Sequence, residues 1–280
     1  MRVGVVAVLA GLALALSTGS QVVAQPATSV LPLAPHRAVY DLSLARSNGS
    51  RSVDAARGRI ALEFGGDNCE GYTTKYRQVT VIDSSESGSR TLDIRTATFE
   101  GADGRTLRFR SDSRMQGGGD EKVDGDASRE NGALSIRLRE PKRETVNLLG
   151  EPIFPTEHLK SVIAAARDGR SNVAVKVYDG SDDGRKIYDT LAFIGHRIEP
   201  GTRPDLEEAA RKEPLASLAR WPVTISYFTA GTGDQTPIYV ISFELYENGI
   251  SRALKIDYGD FALRGDLQQL EVLDTSACQR

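Results

Sequence analysis

Ala133-Leu134-Ser135-Ile136-Arg137-Leu138-Arg139 decides the fold class. Leu134, Ile136 and Leu138 take every second position, and Ser135, Arg137 and Arg139 take the others. Side chains of an extended strand point to alternate faces, so this stretch has one apolar face and one charged face. Such a strand belongs to an antiparallel sheet with one side on a core and one side in water. Thr106–Arg110 repeats the rule, with Leu107 and Phe109 opposite Arg108 and Arg110, and Thr91–Arg95 sets Leu92 and Ile94 against Asp93 and Arg95.

Outward from this stretch, similar strand candidates run at His36–Ala45, Arg57–Phe64, Tyr72–Asp83, Asn172–Tyr178, Ile187–Ile198, Val223–Thr229, Ile238–Glu247, Ser251–Tyr258 and Leu267–Leu273. Weaker ones lie in Asp120–Arg129 and Arg143–Leu149. Asn48-Gly49, Asp103-Gly104, Asn131-Gly132 and Asn248-Gly249 separate them with the positive φ that tight hairpins need. A dozen or more strands joined as a meander are too many for one flat sheet. The expectation is a mainly β fold: a long antiparallel meander curled into a spiral, half-barrel, barrel or sandwich.

Two segments break the alternation. After Phe154-Pro155-Thr156, the residues Leu159, Val162, Ile163 and Ala166 recur at helical spacing, with Thr156 as the N-cap candidate and Arg167 at the exit. A helix Thr156–Arg167 with so narrow an apolar stripe should lie in the concave side of the sheet, while Lys160 faces water. The segment 204–220, rich in Glu, Ala, Arg and Lys and interrupted by Pro214, reads as an exposed, partly helical excursion.

The N-terminus points to export. Arg2 precedes an apolar run of 14 residues, Val3–Leu16, and Val22-Val23-Ala24 offers a signal-peptidase site. That run is shorter than the roughly 20 residues a membrane-spanning helix needs. Cleavage near Ala24 divides the chain into a signal peptide (1–24), a polar spacer (25–35) and one β-rich domain (36–280), with no transmembrane segment left. The 24 residues hold one charge, Arg2, so removing them takes the formal net charge from −3 to −4. So mild a charge, with signs interspersed, argues against a nucleic-acid partner.

In an exported chain, two cysteines without CxxC spacing, Cys69 and Cys278, suit a structural bridge, with free thiols or a redox pair as the alternative.

Catalytic and metal constellations are scarce. His36, His158 and His196 stand far apart and form no HxH or HxxxH pair. His158 and Ser161 are an i, i+3 helical pair, read as helix-surface residues, because no GxSxG elbow supports a serine nucleophile. Asp179, Ser181, Asp183 and Gly184 match the first half of a calcium loop, but Thr190 stands where its bidentate carboxylate belongs, so the segment reads as a hairpin loop. Arg95, Arg105, Arg108, Arg110, Arg137 and Arg139 would cluster on neighbouring strands. Their face is either solvated and balanced by Asp93, Asp103 and Asp112, or a basic patch for an acidic partner, lipid or glycan. Trp221, alone of its kind, reads as a core or rim aromatic. No cofactor and no catalytic residue is assigned.

Several runs carry a family resemblance. Tyr178-Asp179-Gly180-Ser181-Asp182, Phe243-Glu244-Leu245-Tyr246-Glu247-Asn248-Gly249-Ile250 and Ile256-Asp257-Tyr258-Gly259-Asp260-Phe261 resemble the EipB family of alphaproteobacterial cell-envelope integrity proteins. Pro35-His36-Arg37-Ala38-Val39-Tyr40, Cys69-Glu70-Gly71-Tyr72 and the closing Cys278 fit as well, so the resemblance spans about residues 30–280. It implies a periplasmic protein whose sheet winds as a spiral around a helix, with a disulfide matching Cys69 and Cys278. It further implies a non-enzymatic role in keeping the envelope intact under stress and a tetratricopeptide-repeat partner. Three functions compete on the residues: a binding or scaffolding module for a protein partner, a lipid or lipoprotein carrier, and a hydrolase of envelope polymers. The first is favoured.

Overall fold

The computed structural model describes residues 32–48, 53–86, 88–202, 205–231 and 236–275. Cys278 and the whole expected signal peptide, Ala24 included, lie outside them.

The first arm is a meander of eight strands: β1 (His36–Ser47), β2 (Ala55–Asp67), β3 (Gly71–Ser84), β4 (Gly88–Gly101), β5 (Thr106–Met115), β6 (Asp120–Glu130), β7 (Ala133–Glu140) and β8 (Glu144–Leu149). Helix α1 (Pro155–Arg167) follows. The second arm is β9 (Asn172–Val177), β10 (Tyr188–Ile194), β11 (Arg220–Thr229), β12 (Tyr239–Tyr246), β13 (Ser251–Asp257) and β14 (Phe261–Val272). The arms join where β1 pairs antiparallel with β14, Ala38 opposite Leu270 and Asp41 opposite Asp266. One sheet of fourteen strands results, in the order β8-β7-β6-β5-β4-β3-β2-β1-β14-β13-β12-β11-β10-β9. Its end strands, β8 and β9, are not hydrogen-bonded to each other, so the sheet winds without closing. The mainly β meander expected from the alternation, and the winding around one helix that the family resemblance implies, are the architecture found.

Period two sets the faces. Leu134, Ile136 and Leu138 of β7 and Leu107 and Phe109 of β5 are buried, whereas the arginines between them are exposed. Inward side chains of β5–β7 pack around Phe154 and Tyr178, which flank α1 and β9. The loop after β9 thus leans on the inner face of the first arm. Gly180 shows how closely: its φ is +73°, and a Cβ there would meet Phe109 Cγ at 2.3 Å.

α1 occupies the hollow. Val162, Ile163, Ala165 and Ala166 form a core with Val173, Ala192, Trp221 and Leu245 of the second arm and Phe64 and Tyr72 of the first. The buried face is wider than the expected stripe, because strands of both arms meet the helix and bury Thr156, His158 and Ala165 as well. Lys160 does not simply face water either. Its ammonium donates to Asn68 Oδ1 at 2.7 Å and stands 4.6 Å from the centre of the Tyr72 ring.

The segment 205–219 departs from the exposed excursion expected. It makes two short 3-10 turns, Glu208–Arg211 and Leu215–Ser217, and buries Ala209, Ala210 and Leu215 against β1, β13 and β14. An ionic chain holds it there. Glu207 pairs with Arg252, Arg252 with Glu244 at 2.6 Å, and Glu244 with Arg220 at 2.6 Å. Arg220 and Arg252 are 1 % and 5 % exposed, so these charges were taken out of water and balance one another.

Candidate functional site

The wound sheet and α1 leave hollow space between them. A chamber of about 320 Å³ lies between Tyr40, Ile60, Leu62 and Phe64 of the first arm and Ile241, Phe243, Leu254 and Ile256 of the second, under Pro155, Thr156 and Leu159. A second, of about 210 Å³, lies along the helix between His158, Leu159 and Val162 on one side and Val177, Asp179, Ile225 and Tyr227 on the other. The two share Pro155, Leu159, Ile241 and Phe243 as walls. Most inward strand positions around these spaces are apolar by alternation, so their lining is mainly apolar where the helix does not fill the interior.

The start of α1 is anchored from the sheet rather than capped by its own chain. Phe154 is the N-cap residue and makes no side-chain cap bond, and Thr156, the expected cap, lies one position inside Pro155. The orphan N–H groups of Thr156 and Glu157 donate instead to the Glu100 carboxylate, at 2.7 and 3.0 Å. Burial pushes the Glu100 pKa up, and those donors pull it the other way. Arg129 completes the anchor, 2.6 Å from Glu157 and 5.1 Å above the Phe154 ring. Glu100 was legible in retrospect. It shares the parity of Leu92 and Ile94 on β4, which turns it inward.

His158 is buried, contrary to the helix-surface reading, with 4 % of its surface exposed. Its Nε2 is shut from solvent and has no hydrogen-bond partner. It lies four residues before Val162, so helical spacing puts it on the buried face. Ser161 does not engage the imidazole, because its hydroxyl donates to the His158 carbonyl at 2.7 Å. Desolvation lowers the His158 pKa from 6.5 to about 4, which leaves a neutral ring at ordinary pH. An unfolded chain takes up the proton that the folded one refuses, so this group's contribution is complete above pH 6.5 and is lost as pH falls towards 4. The loss should reach roughly 3 kcal/mol. Denaturation midpoints against pH check it: the acid slope should flatten in His158→Phe, and identical slopes would refute it.

The other histidines stay apart. His36 is buried on β1 with Nδ1 2.8 Å from the Ala34 carbonyl, and burial lowers its pKa. His196 is exposed after β10. Among the described residues no group of three or more His, Cys, Asp and Glu is placed to hold a metal ion.

The calcium-like stretch is a hairpin loop joining β9 and β10, as read, and its carboxylates are committed within it. Asp179 accepts from the Ser181 N–H at 2.9 Å, Asp182 from Tyr188 at 2.6 Å and Lys186 at 2.9 Å, and Asp183 from the Arg185 N–H at 3.0 Å. Burial pushes the Asp179 pKa up. Trp221 is a core residue, 4 % exposed, with Arg197 6.0 Å from its ring centre.

On the outside, the arginines do gather on adjacent strands, and acids gather with them. Arg77 and Arg95 share Asp93 at 2.9 and 3.1 Å, Arg110 meets Asp112 at 3.3 Å, Arg108 meets Asp126 at 3.5 Å, and Arg139 reaches both Asp124 and Asp126. Asp103 holds the Arg105 N–H at 2.9 Å, and Arg137 faces Asp126 across β6 and β7. On this face the arginines are paired with carboxylates. Over β1–β5 it forms a shallow groove of about 520 Å³, floored by Val39, Ala61 and Ala97 and walled by Arg37, Lys75, Arg77, Arg95 and Arg110.

Cys69 stands in the turn between β2 and β3, where Asp67 accepts its N–H at 2.7 Å. The far end of β14 lies two strands away: Val272 faces His36, and His36 faces Phe64 of β2.

A long antiparallel sheet, wound but unclosed about one helix, with an apolar hollow and an ion-paired exterior, defines a β-barrel-like class of fold. The chain belongs to the EipB-like family, whose profile matches residues 27–274. The Cell envelope integrity protein EipB of Brucella abortus (strain 2308) is 39% identical over 253 residues, covering 90% of this chain and 89% of that protein. A crystal structure from Brucella abortus, described as a beta-barrel-like protein of domain of unknown function DUF1849, is similar in fold. It has a TM-score of 0.80 and 37% identity, and the match covers 88% of this chain and 100% of that one. The family expected from the strand and turn signatures is the family found.

Proposed function

We propose that this protein supports cell-envelope integrity from the periplasm, as a non-enzymatic module that binds a protein partner. Export by a signal peptide cleaved near Ala24 puts it there, and the name of the Brucella relative supplies the process. The observation that carries the binding reading is the outer groove over β1–β5, whose small apolar floor and arginine-rich walls have the makeup of an interface. A tetratricopeptide-repeat protein is the partner that the family resemblance implies. Photo-crosslinking in periplasm from position 61 with and without Ala97→Glu, and from position 97 with and without Ala61→Glu, tests it. One dominant adduct that either substitution abolishes is the expected result. Adducts indifferent to both substitutions would remove the groove from consideration.

The interior favours a second reading, a lipid or lipoprotein carrier. A chamber of about 320 Å³ falls at the lower end of the roughly 300–1,000 Å³ typical of ligand sites. Extraction and mass analysis of lipid from the purified protein separates the two.

In an oxidising periplasm Cys69 and Cys278 form a disulfide. The sheet supports it, because β14 ends two strands from the Cys69 turn and the six residues after Val272 reach about 20 Å when extended. Thiol labelling of denatured, unreduced protein should find nothing to label, and labelling of both cysteines would refute the bridge.

A further inference from the structure

The two chambers within the sheet are lined mainly by apolar side chains, and one lining residue, His158, carries a buried polar atom without a partner. His158 Nε2 is buried on a side chain only 4 % exposed and has no partner. Leaving a buried polar group unpaired is destabilising, and a fold that keeps one on a residue lining empty space has an opening for a ligand to satisfy it. We propose that the two adjacent chambers bind one straight alkyl or acyl chain bearing a neutral hydrogen-bonding group, with the chain in the larger space, passing the shared wall, and the polar group at His158 Nε2. This deepens the carrier reading and is independent of the outer groove.

Three observations select that ligand. Size comes first: an apolar cavity of about 150 Å³ takes a benzene, so by proportion the larger chamber holds on the order of a dozen carbon atoms. Its walls, among them Ile60, Phe64, Phe243 and Ile256, offer such a chain contacts along its length and no charge. Charge comes next. Asp179 is the charged residue type lining the smaller chamber, and no Lys or Arg lines either space, so an anionic head would meet no cation there and one carboxylate. Geometry is the third. Leu159, one residue from His158, walls both chambers, so a chain passing it carries its end group to the imidazole. The neutral ring presents either a donor or an acceptor, which a hydroxyl or an ester satisfies.

Binding of the uncharged apolar dye N-phenylnaphthylamine to the full exported chain, followed by competition, tests this. The dye should bind saturably. Decanol should displace it at about tenfold lower concentration than decanoate, and in His158→Phe the affinity for decanol should fall about tenfold while that for the dye holds within about twofold. Monodecanoylglycerol competing as well as decanol assigns the chain to a glycerolipid ester, and decanol competing alone assigns it to a free alcohol. Ile241→Trp, which fills the shared wall, should abolish dye binding with the melting transition retained. If that variant does not fold, the wild-type and His158→Phe arms decide. The proposal is overturned if the dye does not saturate, which is the result for a chamber holding water only. Equal potency of decanol and decanoate would also overturn it, as would equal decanol affinity in His158→Phe. A failed partner crosslink leaves every one of these readouts unchanged.

Discussion

Glu244→Ala should cost about 3–5 kcal/mol of stability, the size expected when one partner of a buried ion pair is removed. Glu244 Oε2 takes both Arg220 and Arg252 at 2.6 Å, and those guanidinium groups are almost fully enclosed. Without Glu244, the Arg220 guanidinium is left with the face of Tyr246, 5.7 Å away, and no carboxylate partner among the described residues. Arg252 keeps Glu207, and so the tether to 205–219, under a greater unbalanced charge. Burial pushes the Glu244 pKa up, but Arg220 and Arg252 outweigh it and leave the pKa lowered. The stabilisation is therefore present above the ordinary glutamate range and is lost as pH falls through the folded-state value. Urea denaturation at neutral pH measures the cost. A midpoint within experimental error of wild type would mean the network is dispensable. The exposed pair Lys212–Glu208 is the comparison, and its removal should cost far less.

Ile163→Ala should lose about 2–5 kcal/mol, because it opens a hole where α1 meets both arms. Ile163 is fully buried in the same cluster as Phe64, Tyr72 and Trp221. Leu159→Ala should lose less. Leu159 is half-buried and walls both chambers, so part of its surface already faces empty space and its removal forfeits fewer contacts. Chemical denaturation of the two variants gives the order. If Leu159→Ala proves the costlier, the chambers are filled by protein in solution. Lys160 is no neutral control, since it ties α1 to Asn68 and the Tyr72 ring.

The strands were legible because alternation is a local signal: each of the fourteen has a counterpart in the periodicity, with edges moved by a few residues. β4 is the largest extension, from Thr91–Arg95 to Gly88–Gly101. There the inward positions Thr96, Thr98 and Glu100 are polar, so the apolar code fades while the pairing with β3 continues. The helix was legible from its stripe. Its cap was not, because the capping carboxylate, Glu100, comes from a strand 56 residues earlier. His158 was misplaced for a related reason. A histidine reads as surface until both arms are seen to enclose the helix.

Taken alone, the amino-acid sequence determined what depends on near neighbours: strand and turn positions, the helix, the charged outer face, the cysteine pair and the family signatures. Periodicity and turn chemistry act over a few residues, so they survive without a third dimension. Tertiary structure alone decided which strands meet. The pairing of β1 with β14 makes one sheet of two arms, and winding that sheet around α1 leaves the chambers and strands His158 Nε2 beside them. It also brought Glu207, Arg220, Glu244 and Arg252 into one buried network. Contacts between distant segments are selected by volume, shape and the balance of buried charge across the whole molecule, and no local pattern encodes that sum.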